Sequence, residues 1–373
     1  MSKSKSVHQL MKFLSAFALI VLASFLLLQA EGCGGSSKAA STGGPPPATY
    51  PDTVGTVVSA QLPDCSSVSG SGGEPGGTCY NLTVTCPEVA DITGVIKVNQ
   101  LGSTSVGTVT FTNGGGAQPL YESAFTYGTT AIDMVVQAGY TAVQIGFPNP
   151  PVGFPAGGTF AGWLTGPGGP RRLACRWVTI AKWVHDNIRQ TNTPFCTTGN
   201  SAGAAVVGYA LAHYKQEALF TYVQETSGPP FTRIDHGCIC TAPPIMTVCG
   251  QGALSECFED NANRFVDPSY DPSPTSQKIC SSAKSGSTVN QQLFIDDSLA
   301  TTDATYSFPD VNMHFIFGGQ DTGSAEPEAM EWQPLITAKS PITSSCVADA
   351  PHLIADVLDG AQEVANDMIA SCK

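Results

Sequence analysis

Apolar and polar positions change period repeatedly along this chain, and the changes divide it into strands and helices. Residues favouring β structure, bounded by turn residues, predict strands over Tyr80 to Cys86 and Ile92 to Val98. Val106 to Thr112 is a third strand, cut off by Asn113, Gly114, Gly115 and Gly116. Within Thr129 to Ala138, Ile132, Val135 and Val136 share one helical face, and Gly139 supplies a stop. Tyr140 to Phe147 returns to strand, and residues 148 to 170, rich in Pro and Gly, form a loop. Arg171 to Arg189 then carries Leu173, Trp177, Ile180, Val184 and Ile188 at helical spacing. Thr193 to Gly199 predicts a short strand, Ala202 to Tyr214 a helix of small apolar residues, and Phe220 to Glu225 another strand.

Between Ser227 and about Pro309 the pattern breaks into an irregular segment holding Cys238, Cys240, Cys249, Cys257 and Cys280. A stretch this long needs its own organisation, which disulfides can supply, so residues 228 to 309 read as a lid-like insertion. Val311 to Phe317 restores the sheet, Leu335 to Thr343 adds a final strand, and Leu353 to Ala370 closes the chain as a helix. Strands alternating with helices predict an α/β fold with a mostly parallel central sheet flanked by helices. Residues 79 to 373 form one catalytic domain in this reading, without internal repeats.

The first residues belong to a different class. Lys3, Lys5 and Lys12 precede an uncharged apolar run from Phe13 to Leu28, the pattern of a signal peptide over residues 1 to 32. The run falls short of the roughly 20 apolar residues that span a membrane comfortably. Ala30, Glu31, Gly32 and Cys33 resemble a bacterial lipobox, which would acylate Cys33 and anchor the exported protein to the cell envelope, although Glu31 is atypical there. Cleavage near Ala30 with free secretion is the alternative. Residues 33 to 78, dominated by Gly, Ser, Thr and Pro, read as a flexible tether.

Thirteen cysteines point to an oxidising compartment, and with Cys33 lipidated the other twelve allow up to six disulfides. Cys346 with Cys372, and Cys65 or Cys79 with Cys86, are the expected pairs, while a Cys65–Cys79 bond would close a floppy loop. Cys238-x-Cys240 has no partner pair at zinc-finger spacing, and residues 259 to 267 lack the ligand spacing of a calcium loop. Without residues 1 to 32 the chain holds 14 Lys plus Arg against 29 Asp plus Glu, a net charge of −15. That charge disfavours nucleic acid as a partner and suits neutral substrates.

Gly199-Asn200-Ser201-Ala202-Gly203 matches G-x-S-x-G between a predicted strand and a predicted helix, the setting in which that motif presents a nucleophilic serine on a strained turn. On these residues the chain, over roughly residues 92 to 373, resembles the α/β-hydrolase superfamily of serine esterases and lipases. The resemblance implies a serine, an acid and a histidine in that chain order. His352, in a loop between the last strand and the last helix, stands where the catalytic histidine would be. Asp321, at a Gly-Gly turn after a strand, resembles the acid's position, with Asp349, Glu326 and Glu328 as competitors. The oxyanion donors would be the N–H of Ala202 and the tract Gly114, Gly115, Gly116 and Ala117, with Asn113 where many members carry histidine.

The reading is thus a serine hydrolase acting on a small or polymeric carboxylic ester through an acyl-enzyme, a mechanism that calls for no cofactor or metal. Peptidase or polyester depolymerase activity and a catalytically inactive surface-binding lipoprotein are the alternatives. Phe258, Phe265, Tyr270 and Trp163 line the substrate pocket or, as large apolar residues more often do, pack in the core.

Overall fold

A computed structural model describes residues 49–65, 76–258, 261–275 and 278–373; the expected signal peptide, Cys33 and part of the tether lie outside the described residues. Nine strands form one sheet: β1 (Thr56–Gln61), β2 (Thr78–Thr85), β3 (Ile92–Asn99), β4 (Thr108–Thr112), β5 (Thr141–Gly146), β6 (Phe195–Asn200), β7 (Tyr222–Thr226), β8 (Asn312–Gly318) and β9 (Thr343–Val347). They lie in the order β1-β2-β3-β5-β4-β6-β7-β8-β9. Pairing is antiparallel from β1 through β3 to β5 and parallel from β5 to β9.

Every residue of β4, β5, β6 and β7 is buried, so these central strands cannot show the apolar-polar alternation of a half-exposed sheet. Helices α1 (Gly128–Gln137), α2 (Cys175–Asn187) and α3 (Ala202–Ala212) follow β4, the long loop after β5, and β6 respectively. One core layer packs Trp177, Ile180, Val206 and Tyr209 of α2 and α3 against Val223 and Phe315. The opposite layer packs Ile132 and Val135 of α1, with Val364 and Met368 near the C-terminus, against Val109, Phe111 and Ile316. Phe315 and Ile316 face opposite layers because side chains alternate along a strand. All of α3 is buried, which explains its small apolar composition: a helix pressed into the sheet from a tight turn has no solvent face.

The insertion is built from α4 (Ile234–Ile239), α5 (Ile279–Lys284) and α6 (Thr288–Asp297), with a short ladder pairing Ile245–Met246 to Ala253–Leu254. Cys238–Cys280 and Cys240–Cys257 cross-link it internally, and Cys249–Cys346 fastens it to β9. After β8 comes α7 (Ala325–Trp332), and after β9 comes α8 (Leu358–Ser371). A mostly parallel sheet with this strand order, in which β1 and β3 run against the other strands, is the α/β-hydrolase fold.

Several expectations need correction. The tether does not run to residue 78, because Thr56–Gln61 is a strand; it is an edge strand with one neighbour and mostly exposed side chains, so no burial period marks it. The last strand is Thr343–Val347, not Leu335 to Thr343; it too is an edge, and polar. The helix expected over Arg171 to Arg189 is two pieces, Gly169–Leu173 and Cys175–Asn187. Cys346 and Cys372 do not pair with each other: Cys346 bonds Cys249 and Cys372 bonds Cys196. Cys86 bonds Cys175, leaving Cys65 and Cys79 to close the loop between them. These partners are 89 to 176 residues apart in three of the cases, a separation that only the folded topology brings together.

Candidate active site

The strand order reverses direction at β4, so the loops leaving β4 and β6 diverge and open a crevice at the carboxyl ends of the parallel strands, the place where open α/β sheets bind ligands. Ser201 occupies the turn from β6 into α3 with φ 55° and ψ −122°, a conformation that a non-glycine residue adopts only when its surroundings enforce it. The surroundings are visible. Ser201 N–H donates to the Thr226 carbonyl at 2.8 Å, while its own carbonyl accepts from Ala204 and Ala205 at 2.8 and 3.0 Å. A Cβ on Gly199 would stand 2.2 Å from the Gly203 carbonyl oxygen, and one on Gly203 would stand 2.4 Å from that of Asn113. Both glycines of the motif are therefore required by close backbone approach.

The Gly114–Gly116 tract leaves β4 beside this turn. A Cβ on Gly114 would lie 3.3 Å from Ser201 Cβ, and one on Gly116 would lie 1.6 Å from the Ala161 carbonyl oxygen. Gly115 has φ +60° and faces the Phe265 ring. Ala202 heads α3, so its N–H has no acceptor within the helix and is free for an anion. Asn113 Nδ2 donates to the Pro119 carbonyl at 2.9 Å and braces the tract.

Asp321 and His352 arrive on two loops that interlock. Gly319 N–H donates to Val347 O at 2.8 Å and Gln320 N–H to Ala350 O at 2.9 Å. Side chains at Gly318 or Gly319 would reach within 2.4 Å of the Pro351 or Ala348 carbonyl oxygen, which gives the Gly-Gly turn its physical reason. His352 Nδ1 donates to Asp321 Oδ2 at 2.8 Å, and Gly323 N–H donates to Asp321 Oδ1 at 2.8 Å. The Asp321 side chain is 1 % exposed. Burial alone would raise its pKa, but the hydrogen bond and charge of His352, the Gly323 N–H and the nearby Ser227 hydroxyl outweigh it and hold the carboxyl below its ordinary value. The competing carboxyls sit elsewhere. Asp349 is exposed, Glu326 accepts from Val248 N–H and Gln251, and Glu328 is buried where it accepts from Arg233 N–H.

Ser201, Ala202, Gly115, Gly116, Asp321 and His352 border one cavity of about 770 Å³. The insertion supplies part of its wall through Phe258, Phe265 and Arg264, with the Arg264 guanidinium 4.9 Å from the Phe265 ring centre. Trp163 and Tyr270 are buried in the core instead, Trp163 behind the glycine tract, where its backbone N–H donates to the Gly116 carbonyl at 2.9 Å.

Asn200 was not singled out from the sequence. Fully buried, it donates from Nδ2 to the His352 carbonyl at 3.4 Å, and its Oδ1 accepts from Ile354 N–H at 3.3 Å and from the Thr226 hydroxyl at 3.2 Å. The variable position of G-x-S-x-G thus links the serine's strand to the histidine's loop. Its occupation by an amide, able to donate and accept at once, directly after a predicted strand was the available signal.

No protein-family model matches the sequence, and no curated protein matches it either. Among solved structures the chain is similar to an esterase from Pyrococcus furiosus, at 15 % identity and TM-score 0.44 over 80 % of this chain and 94 % of that one. It is also similar to Est1E from Butyrivibrio proteoclasticus, at 9 % identity and TM-score 0.46 over 79 % and 99 %. A third similarity is to acetyl xylan esterase 1 from a Thermoanaerobacterium species, at 14 % identity and TM-score 0.47 over 83 % and 86 %.

Proposed function

We propose that this protein is a serine hydrolase that cleaves carboxylic esters through Ser201, His352 and Asp321. The observation that carries the reading is the 2.8 Å bond from His352 Nδ1 to the buried Asp321 carboxylate, in the same cavity as a serine held at positive φ. With Nδ1 committed as a donor, His352 Nε2 is the basic nitrogen and takes the Ser201 proton as Oγ bonds to the ester carbonyl carbon. The carbonyl oxygen gains negative charge and is met by the N–H groups of Ala202 and of Gly115 or Gly116. Collapse expels the alcohol, which receives the proton from His352. Water then attacks the acyl-enzyme with His352 again as base, releasing the acid and restoring Ser201.

Export to an oxidising compartment fits the six disulfides of the described residues, and membrane anchoring through acylated Cys33 is the localisation proposed from sequence. Turnover of p-nitrophenyl esters of increasing chain length tests the activity and gauges the cavity. The expected result is hydrolysis with a chain-length optimum; no hydrolysis of any ester by correctly oxidised protein would favour a binding protein on the same scaffold.

A further inference from the structure

Away from the catalytic cavity, two groups of histidine and carboxylate atoms are gathered closely enough to share an ion. In the first, Asp52, His213 and Asp303, the Arg171 guanidinium already bonds both carboxylates and takes the cation's place. The second, His236, Glu256 and Glu331, has no such occupant. His236 lies on α4, Glu256 next to Cys257 of the insertion, and Glu331 on α7. His236 Nδ1 is 3.1 Å from Glu256 Oε2 and 3.4 Å from Glu331 Oε2. Ligand atoms bound tetrahedrally to one zinc ion at about 2.0–2.1 Å stand about 3.3 Å apart; both distances from His236 suit that geometry, and all three ligand atoms lie within 4.8 Å of one another.

The surrounding charge points the same way. Glu256 has a side chain only 2 % exposed, and its Oε1 has no hydrogen-bond partner among the described residues. A buried carboxyl oxygen without a partner is costly unless a proton or a cation meets it. Arg233 does not do so: its guanidinium gives two hydrogen bonds to Asp235 at 2.9 and 2.7 Å and stays 3.9 Å from Glu331. Glu328 adds a further buried carboxyl that interacts with Glu256, so four carboxyls surround one guanidinium and one imidazole. The second ring nitrogen of His236 faces Asp235 Oδ2 at 3.9 Å, a short shift from the imidazole-carboxylate contact that steadies metal-bound histidines.

We propose that His236, Glu256 and Glu331 bind a divalent cation of the zinc class, which accepts mixed imidazole and carboxylate ligands. His236 and Glu331 are about a quarter exposed, which gives an ion its way in and leaves the fourth position to water. The ion would clamp the insertion, which walls the catalytic cavity, to the helix that follows the catalytic acid's loop. It touches no reacting atom, and the proposal stands whether or not the protein hydrolyses esters.

The test is calorimetric titration of Zn²⁺ into the full chain after chelator treatment with disulfides intact, paired with thermal melts. One saturating equivalent and a metal-dependent rise in Tm are expected, both lost in His236→Gln and in Glu331→Gln and both kept in His213→Gln. Asp235→Asn is expected to weaken binding about 10–100-fold. Circular dichroism of the metal-free variants reports whether they fold, and Glu331→Gln, at the exposed rim, keeps the test decisive where His236→Gln does not fold. No saturating binding by the wild type, or undiminished binding by folded Glu331→Gln, would overturn the proposal.

Discussion

Asn200, the residue immediately before Ser201, is hydrogen-bonded through its side chain to the main chain of His352 and of Ile354 on the histidine's loop. His352 and Ser201 are thereby tied to one strand, β6, although 151 positions separate them in the chain. Replacing Asn200 by Ala removes this link and leaves the Ile354 N–H without its acceptor. The expected result is a stability loss of about 1–3 kcal/mol and a fall in kcat, with misplacement by about 1 Å costing up to about 10²-fold. Denaturant unfolding and steady-state kinetics on the same variant read both.

Asp321 also sets an acid limit. Its carboxyl titrates lower in the folded protein than its ordinary value, so its contribution to stability is complete above about pH 4 and fades as pH falls through the lower folded value. Asp321→Asn should therefore flatten the acid side of the stability profile while lowering kcat by about 10⁴. Melts between about pH 5 and pH 2 check the first effect. A variant with the same acid dependence as the wild type would remove Asp321 as its source.

Glu225 behaves in the opposite sense. It lies in β7 opposite Gly199, beside the Ser201 turn, fully buried and with neither carboxyl oxygen hydrogen-bonded among the described residues, and burial raises its pKa well above the ordinary value. Above about pH 4.3 the unfolded chain releases a proton that the folded chain retains, so the residue costs stability increasingly as pH rises toward the folded value. Glu225→Met, similar in size and apolar, should stabilise the protein by about 1–3 kcal/mol at pH 7 with the gain shrinking near pH 4. Equal gains at both pH values would contradict the assignment of the cost to ionisation.

The disulfides should differ in worth with the length of chain each closes. Cys196–Cys372 spans 176 positions and Cys65–Cys79 only 14. The logarithmic dependence of loop entropy makes removal of the first costlier by about 2 kcal/mol. Chemical unfolding of the two double Cys→Ser variants gives this difference.

The fold was legible where burial imposes a pattern and illegible where it does not. The buried strands around Phe111, Ile145 and Phe315 announce themselves by composition, and Gly199 to Gly203 by the backbone crowding that forbids side chains there. Strands β1 and β9 escaped or shifted because each is an edge with little buried surface, and Thr343 to Val347 is polar enough to pass for loop. Disulfide partners such as Cys249 and Cys346 are fixed by strand order, which no local window contains. Asn200 escaped because its value lies in a contact with a segment far along the chain.

Treatment of the oxidised protein with a fluorophosphonate, followed by peptide mass mapping, is the measurement to make on Ser201. A single adduct on Ser201, absent from Ser201→Ala together with all ester turnover, is the expected result. An unlabelled Ser201 in folded protein, or turnover that survives its replacement, would overturn the assignment of this serine as the nucleophile.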